Sequence, residues 1–264
     1  YNSTKYCKNK WILSHFFSFF YILLNNSNLL KKKQMPNYIP IKNLALDDRP
    51  REKLLQHGRS SLSNAEILAI LIGSGNKDKS AIQLCQEILK DSNDNINTLA
   101  KKSFSDLTKF KGIGEAKAVS IKAGLELSKR KLMEESTEIT KISSSNMAYK
   151  FLQPHFLDEV NEAFGLIYLN RANKIIGYDR ISNGGRSATV VDGKVIFKNA
   201  ISNNASAIIL SHNHPSGEVS PSKADVSLTN RMIEFGKMID CKVLDHIIIG
   251  DKKYFSFADQ GMMG

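Results

Sequence analysis

Two histidines one residue apart, His212 and His214, stand ahead of Ser222 and Asp225 in the stretch SHNHPSGEVSPSKAD (211–225). The apolar run AIIL before them reads as a buried strand. In an extended chain residues i and i+2 point to the same face, so both imidazoles leave the strand's end on one side. PSGEVS reads as a tight turn, and Pro221 suits the first turn of a following helix with Ser220 as its N-cap. Ser222 and Asp225 are three positions apart and share a helix face. Strand end and helix start can then aim His212, His214 and Asp225 at one point. Two neutral imidazoles and a carboxylate are three ligands that leave one tetrahedral position open, the pattern of a catalytic zinc site. Water bound there has its pKa lowered to about 7 and needs a general base within hydrogen-bond reach. A serine hydroxyl close by can stabilise the oxyanion that forms. The competing reading is structural: the helix dipole alone favours Asp225 near a helix start, and Ser222 serves as a cap. Two of the chain's six histidines fall in this stretch, with serine and aspartate at a fixed pitch, which favours the metal site.

The elements that must position these residues are legible around them. EAFGLIYLN alternates, with Phe164, Leu166 and Tyr168 on one side, and reads as a strand. NKIIGYDRIS and SATVVD, on either side of Gly184-Gly185, read as further strands. GKVIFKNAISNN reads as a helix, ASAIILSHNH as a buried strand, PSKADVSLTNRMIEFGKMID as a helix and KVLDHIIIG as a last strand. Strands and helices interleave, so residues 142–264 are expected to form an α/β sandwich. The preceding part is helical in pattern. Residues 36–50 read as an extended lead-in closed by Pro50. REKLLQHG ends at Gly58, a C-cap position. SLSNAEILAILIGSG carries a capping box, Ser63 with Glu66, and stops at Gly73 and Gly75. SAIQLCQEILKD repeats apolar positions at helical spacing, and two more helices flank FKGIGEA. Residues 131–141 are polar and aperiodic and read as a linker between a helical domain (35–130) and the α/β domain.

The net charge of +11 is unevenly distributed. Residues 1–34 hold six lysines and no acid, residues 50–130 hold 14 basic and 9 acidic residues, and residues 131–264 hold 15 of each. The half with the histidine pair is neutral, which disfavours a strong phosphate-binding face there. Three cysteines far apart, Cys7, Cys85 and Cys241, exclude a disulfide framework and fit a reducing cytoplasm. WILSHFFSFFYILL (11–24) is 14 residues long, short of the roughly 20 a membrane span needs. It follows lysines as a signal peptide would, but no small-residue cleavage site follows it. The biased composition of 1–34 and a first methionine at Met35 favour a third reading, a non-native or disordered extension.

FKGIGEAKAVSIKAG has the helix-hairpin-helix pattern, with Leu107, Phe110, Gly112, Gly114, Ala118 and Ile121. Its glycines allow a tight turn that exposes backbone N–H groups to a phosphate, with Lys109, Lys111 and Lys117 nearby. Weak, non-specific DNA-backbone binding through this domain is one reading; an ordinary helical hairpin or protein-docking surface is the other, and both stay open. GSGNKDKS (73–80) departs from the phosphate-loop pattern, and the H-x-E and P-C-x-x-C signature of zinc deaminases is absent.

His212-Asn213-His214, seven residues, Ser222, two residues and Asp225 is similar to the JAMM motif of MPN-domain metalloproteases. HNHPSGEVSPSKAD as a whole resembles the RadC branch of that family, bacterial proteins once described as DNA-repair factors. RPREKLLQHGRSSLSNAEILAILIGSG, FKGIGEAKA and LDHIIIG resemble RadC segments in the same order, so the likeness covers about residues 38–264. The resemblance implies an MPN sandwich, a mixed β-sheet flanked by helices, behind the all-α domain. It implies His212, His214 and Asp225 as ligands of one zinc ion per chain, and Ser222 as the oxyanion-stabilising hydroxyl. It also implies a glutamate base two residues before an aromatic, which fits Glu162 ahead of Phe164, with Glu159 as competitor. Asp192-Gly193 departs from relatives that carry a proline before a basic residue, which bears on substrate preference. His246 lies outside the motif and is expected to support the ligands or the core. The expected function is zinc-dependent hydrolysis of an amide bond in a peptide or protein, with no membrane partner. The alternative is a DNA-binding accessory factor whose zinc domain is mainly structural.

Overall fold

Serines and glycines punctuate the helices of the computed structural model, which describes residues 38–183 and 191–264. The extension 1–34 therefore lies outside the described residues. The lead-in is not simply extended: Ile41–Asn43 and Leu46–Asp48 wind into 3-10 turns. Helix α1 (Pro50–His57) opens on Pro50, whose missing N–H is no loss at that position, and ends at Gly58. In α2 (Asn64–Ile72) Ser63 accepts from Glu66 N–H while the Glu66 carboxylate accepts from Ser63 N–H, and Gly73 ends the helix in the left-handed region. The same reciprocal cap opens α3 (Ala81–Asp91) through Ser80 and Gln83. Helix α4 (Ile96–Lys101) is capped by Asn95, and α5 (Phe104–Thr108) by Ser103 with Asp106. Leu84, Ile88, Leu99, Leu107 and Ile121 are fully buried and form the centre of this domain's core.

Helix α6 spans Glu115–Thr137, so most of the segment expected to be a linker is helical. The stretch lacks apolar periodicity because that end of the helix is mostly exposed, not because it is unstructured. Good helix formers and the i,i+4 pairs Glu126–Arg130 and Lys131–Glu135 support it in water. After it, Ile142 N–H donates to Asn173 O and Ile175 N–H to Thr140 O, which ties the chain to the edge of the second domain.

The second domain begins with α7 (Ser145–Phe156). Then come β1 (Ala163–Leu169), β2 (Ile175–Asn183), α8 (Gly193–Ser202), β3 (Ala207–Asn213), α9 (Lys223–Met238), β4 (Lys242–Ile249) and β5 (Tyr254–Ser256). The short strand β5 carries no clear pattern in the sequence. Most of SATVVD, expected as a strand, lies outside the described residues; Asp192 caps α8 by accepting from Lys194 N–H. The five strands form one mixed sheet in the order β2-β1-β3-β4-β5. Strand β1 is antiparallel to β2 and β3, β3 is parallel to β4, and β5 is antiparallel to β4. Helix α7 covers one face, against Ile167, Leu169, Ile209 and Ile249. Helices α8 and α9 cover the other, against Phe164, Leu166, Tyr168 and Leu210. All seven residues of β1 and of β3 are buried, as the two-sided cover requires.

His155, on α7, is sandwiched toward Tyr178 with ring centroids 4.1 Å apart. Burial, aided by Arg180 and Lys129, pulls its imidazole down from 6.5 to about 4. The folded state thus prefers the neutral ring: its contribution is complete above pH 6.5 and is lost as the pH falls toward about 4. His155→Phe, which keeps the stacking, should make the acid-side fall in Tm of metal-free protein shallower across that window, read by circular dichroism.

Candidate functional site

Strand alternation at the end of β3 sends His212 and His214 to the α9 side of the sheet and Asn213 to the α7 side. Helix α9 begins one turn's reach away. Its N-cap is Ser222, not Ser220: Ser222 Oγ accepts from Asp225 N–H (3.2 Å), and Ser222 N–H donates to Asp225 Oδ2 (2.7 Å). Asp225 thus sits at the third helical position rather than further along a common face, because the chain stays extended through Ser222. The cap also fixes the direction of the Asp225 carboxylate.

His212 Nε2 and His214 Nε2 stand 3.0 Å apart. His212 Nε2 lies 3.4 Å from Asp225 Oδ1, and His214 Nε2 lies 3.8 Å from Asp225 Oδ2. Three ligands around a tetrahedral zinc with bonds of about 2.0–2.1 Å stand about 3.3 Å from one another. The triangle formed by His212, His214 and Asp225 therefore fits a small divalent metal, and it is the one such group among the described residues. The ring states suit it. His214 Nδ1 is 2.7 Å from Glu218 O, a carbonyl that can only accept, so Nδ1 carries a proton and Nε2 is the nitrogen turned to the group. Burial pushes the His212 imidazole toward its neutral form, against the pull of the Asp225 carboxylate. Phe164 lies parallel to His212, with centroids 6.2 Å apart. Behind it His246 is fully buried, with Nε2 2.8 Å from His212 Nδ1 and Nδ1 2.7 Å from Thr229 Oγ1.

The three ligand atoms line a cavity of about 460 Å3, with Glu162, Val191, Ser216, Ser222, Leu228 and Arg231 around it. Ser222 Oγ uses a lone pair for the helix cap, which leaves its hydroxyl proton available to the cavity. Glu162 is exposed and immediately precedes β1. Its competitor Glu159 pairs with Arg180 at 2.9 Å and is not among the cavity's lining residues. Asn213, which sequence reading passed over, clamps the backbone on both sides of Glu162: Ala163 N–H donates to its Oδ1 (2.7 Å), and its Nδ2 donates to Asn161 O (3.1 Å). Strand alternation was the available signal, since the middle residue of His-Asn-His must face away from the metal. Thr229 was also passed over; it lies one helical turn after Asp225, a spacing that the sequence displays.

The residues expected to contact DNA lie in and beside the hairpin. Lys117 Nζ donates to Ser74 O, Gly75 O and Gly112 O at 2.7–3.0 Å and so fastens the hairpin to the end of α2. Lys109 pairs with Asp106 (2.7 Å) and Lys111 with Asp78 (2.6 Å). Gly112 has φ +103 and a Cβ there would stand 2.6 Å from Asn76 Cβ, so this glycine is required for packing. Gly114 is the N-cap of α6, with open space around it and no capping side chain.

A helical domain ahead of a mixed sheet, with a His-His-Asp group at the end of its central strand, is the plan of a JAB/MPN-type protein. The profile of the family described as "RadC-like JAB domain" matches residues 142–262, and that described as "UPF0758 N-terminal" matches residues 41–119. A UPF0758 protein of Flavobacterium johnsoniae is 46% identical over 226 residues, 86% of this chain and 98% of its own length. One from Porphyromonas gingivalis is 45% identical over 84% of this chain and 99% of its own length. One from Methanosarcina acetivorans is 38% identical over 86% and 98%. The chain belongs to the UPF0758 (RadC) family.

Metal titration of the purified chain should saturate at about one zinc per chain. His212→Ala, His214→Ala and Asp225→Asn should each weaken binding at least about 100-fold, read by competition with a chromogenic chelator. Asn213→Ala should leave the buried Ala163 N–H unpaired and cost about 1–3 kcal/mol in urea unfolding while zinc still binds.

Proposed function

We propose that this protein is a zinc-dependent hydrolase of the JAMM type that cleaves an amide bond in a peptide or protein substrate, as a metallopeptidase or isopeptidase. The observation that carries the reading is the convergence, on one cavity, of two imidazole nitrogens 3.0 Å apart, each with an Asp225 oxygen at 3.4 or 3.8 Å, together with the Glu162 carboxylate and the Ser222 hydroxyl. Held by His212, His214 and Asp225, a zinc ion supplies Lewis acidity, polarising a carbonyl and lowering the pKa of water to about 7.

The chain's own residues supply the rest. Glu162, exposed on the cavity rim with its backbone pinned by Asn213, accepts a proton from the attacking water and returns it to the leaving nitrogen. The Ser222 hydroxyl donates to the oxygen that gains charge. His212 and His214 are each held by a hydrogen bond on the Nδ1 side, which leaves Nε2 turned toward the metal position. Among the described residues no helix is long and apolar enough to cross a membrane. For the accessory-factor reading, Lys109 and Lys111 remain exposed beside their carboxylates, while Lys117 is held by three carbonyl oxygens.

Glu162→Gln separates ligand from base. It should bind zinc as wild type does yet lower hydrolysis of a cleaved peptide, found by screening a peptide library, by about 100-fold or more. Hydrolysis that survives the change sinks the assigned role. Absence of any hydrolysis by the zinc-loaded wild type, with salt-sensitive DNA binding lost in Lys109→Glu and Lys111→Glu, both exposed positions, would move the function to the helical domain.

A further inference from the structure

We propose that Arg231 selects the substrate of this cavity by binding a carboxylate that lies two or three residues from the amide to be cleaved, a role that rests on the hydrolase reading above. The carboxylate is that of an aspartate or glutamate side chain, or of the peptide's C-terminus.

Arg231 lines the same cavity as the two histidines and Asp225, and no other lysine or arginine does so among the described residues. Its guanidinium cannot lose its proton in a protein, so it is a fixed positive charge on the wall. The side chain is exposed, and neither carboxylate of the cavity, Glu162 or Asp225, pairs with it. Residues 1–37 and 184–190 hold no aspartate or glutamate, so no carboxylate from outside the described residues can serve it either. Arg130 and Arg180, by contrast, each hold a glutamate at 2.9 Å. An exposed arginine without a partner is common on a protein surface; this one stands beside the metal ligands.

Helix geometry gives its reach. Asp225, Leu228 and Arg231 recur at every third position on the α9 wall of the cavity. At about 1.5 Å per residue, Arg231 lies about 9 Å along the helix axis from Asp225. An extended peptide advances about 3.3 Å per residue, so that span corresponds to two or three residues of substrate. Leu228 lies between the two charges and Val191 also lines the cavity, which gives the intervening residues apolar surface to cover.

The same arrangement favours a carboxylate over a phosphate. One planar guanidinium matches one carboxylate through two parallel hydrogen bonds. A phosphate carries up to twice the charge, and Glu162 in the same cavity would repel it.

The test uses the full chain loaded with zinc and capped, internally quenched peptide pools in which one position holds Glu, Gln or Lys. Wild type should cleave the Glu pool with kcat/KM about 10-fold above the Gln pool when that position lies two or three residues from the cleaved bond, mainly through KM. Arg231→Gln should erase the preference. Arg231→Glu should turn it toward Lys, a reversal that an arginine of merely structural role would not produce. Pools with a free C-terminus and no acidic side chain separate the terminal carboxylate from the side chain; a preference for either should vanish in Arg231→Gln. Binding without turnover is read by fluorescence anisotropy of fluorescein-labelled pools on zinc-loaded Glu162→Gln. The acidic or the free-terminus pool should bind about 10-fold tighter than the neutral one, and adding Arg231→Gln should make them equal. If wild type cleaves nothing, the hydrolase reading fails, and this binding comparison still decides the role of Arg231. Equal binding of acidic, free-terminus and neutral pools with Arg231 in place overturns that role, as does a carboxylate preference that persists in Arg231→Gln.

Discussion

The pairing of β3 with β1 on one side and β4 on the other holds the site together. In the β1 ladder Phe164 stands opposite His212, and in the β4 ladder Ile248 does. The backbone at the histidine pair is thus hydrogen-bonded into a sheet on both flanks, and the side chains inherit its two-residue period. One step of register slip would turn His212 and His214 toward α7 and Asn213 toward α9, exchanging metal ligand and backbone clamp. The polar end of the strand resists the slip: Ser211 Oγ donates to Gly165 O, and Asn213 bonds the backbone on both sides of Glu162, contacts that a shift would break.

A second economy lies at the start of α9. Asp225 belongs to a capping box, in which it accepts from Ser222 N–H through Oδ2. Its other oxygen, Oδ1, faces His212. The structural reading of Ser222 and Asp225 as a helix cap and the chemical reading as ligand and hydroxyl donor are therefore not alternatives. A carboxylate has lone pairs enough for both tasks, and a serine that accepts through one lone pair keeps its proton. Local helix energetics thus hold the Asp225 carboxylate beside the two histidines.

The helical domain holds more basic than acidic residues. Three of its hairpin lysines pair within the protein, Lys109 and Lys111 with carboxylates at the surface and Lys117 with carbonyl oxygens. Contacts also cross between the domains near the site: Lys101 pairs with Asp251 at 3.2 Å and reaches Pro215 O at 3.4 Å, within the turn that follows His214.

Much was determined by the amino-acid sequence alone. The His212–His214 pair, the capping box at Ser63 and Glu66, and the β1 face of Phe164, Leu166 and Tyr168 follow from spacings of two and three residues, which local geometry converts directly into a common face or a cap. The helical character of 131–137 was hidden, because an exposed helix leaves no apolar period to read. The tertiary structure decided whatever joins distant segments. It brought Asn213 to the backbone around Glu162, drew Glu159 away to Arg180, and set His246 between His212 and Thr229. Those relations depend on sheet order and on which helix covers which face. Buried hydrogen bonds between residues tens of positions apart leave no periodic trace along the chain.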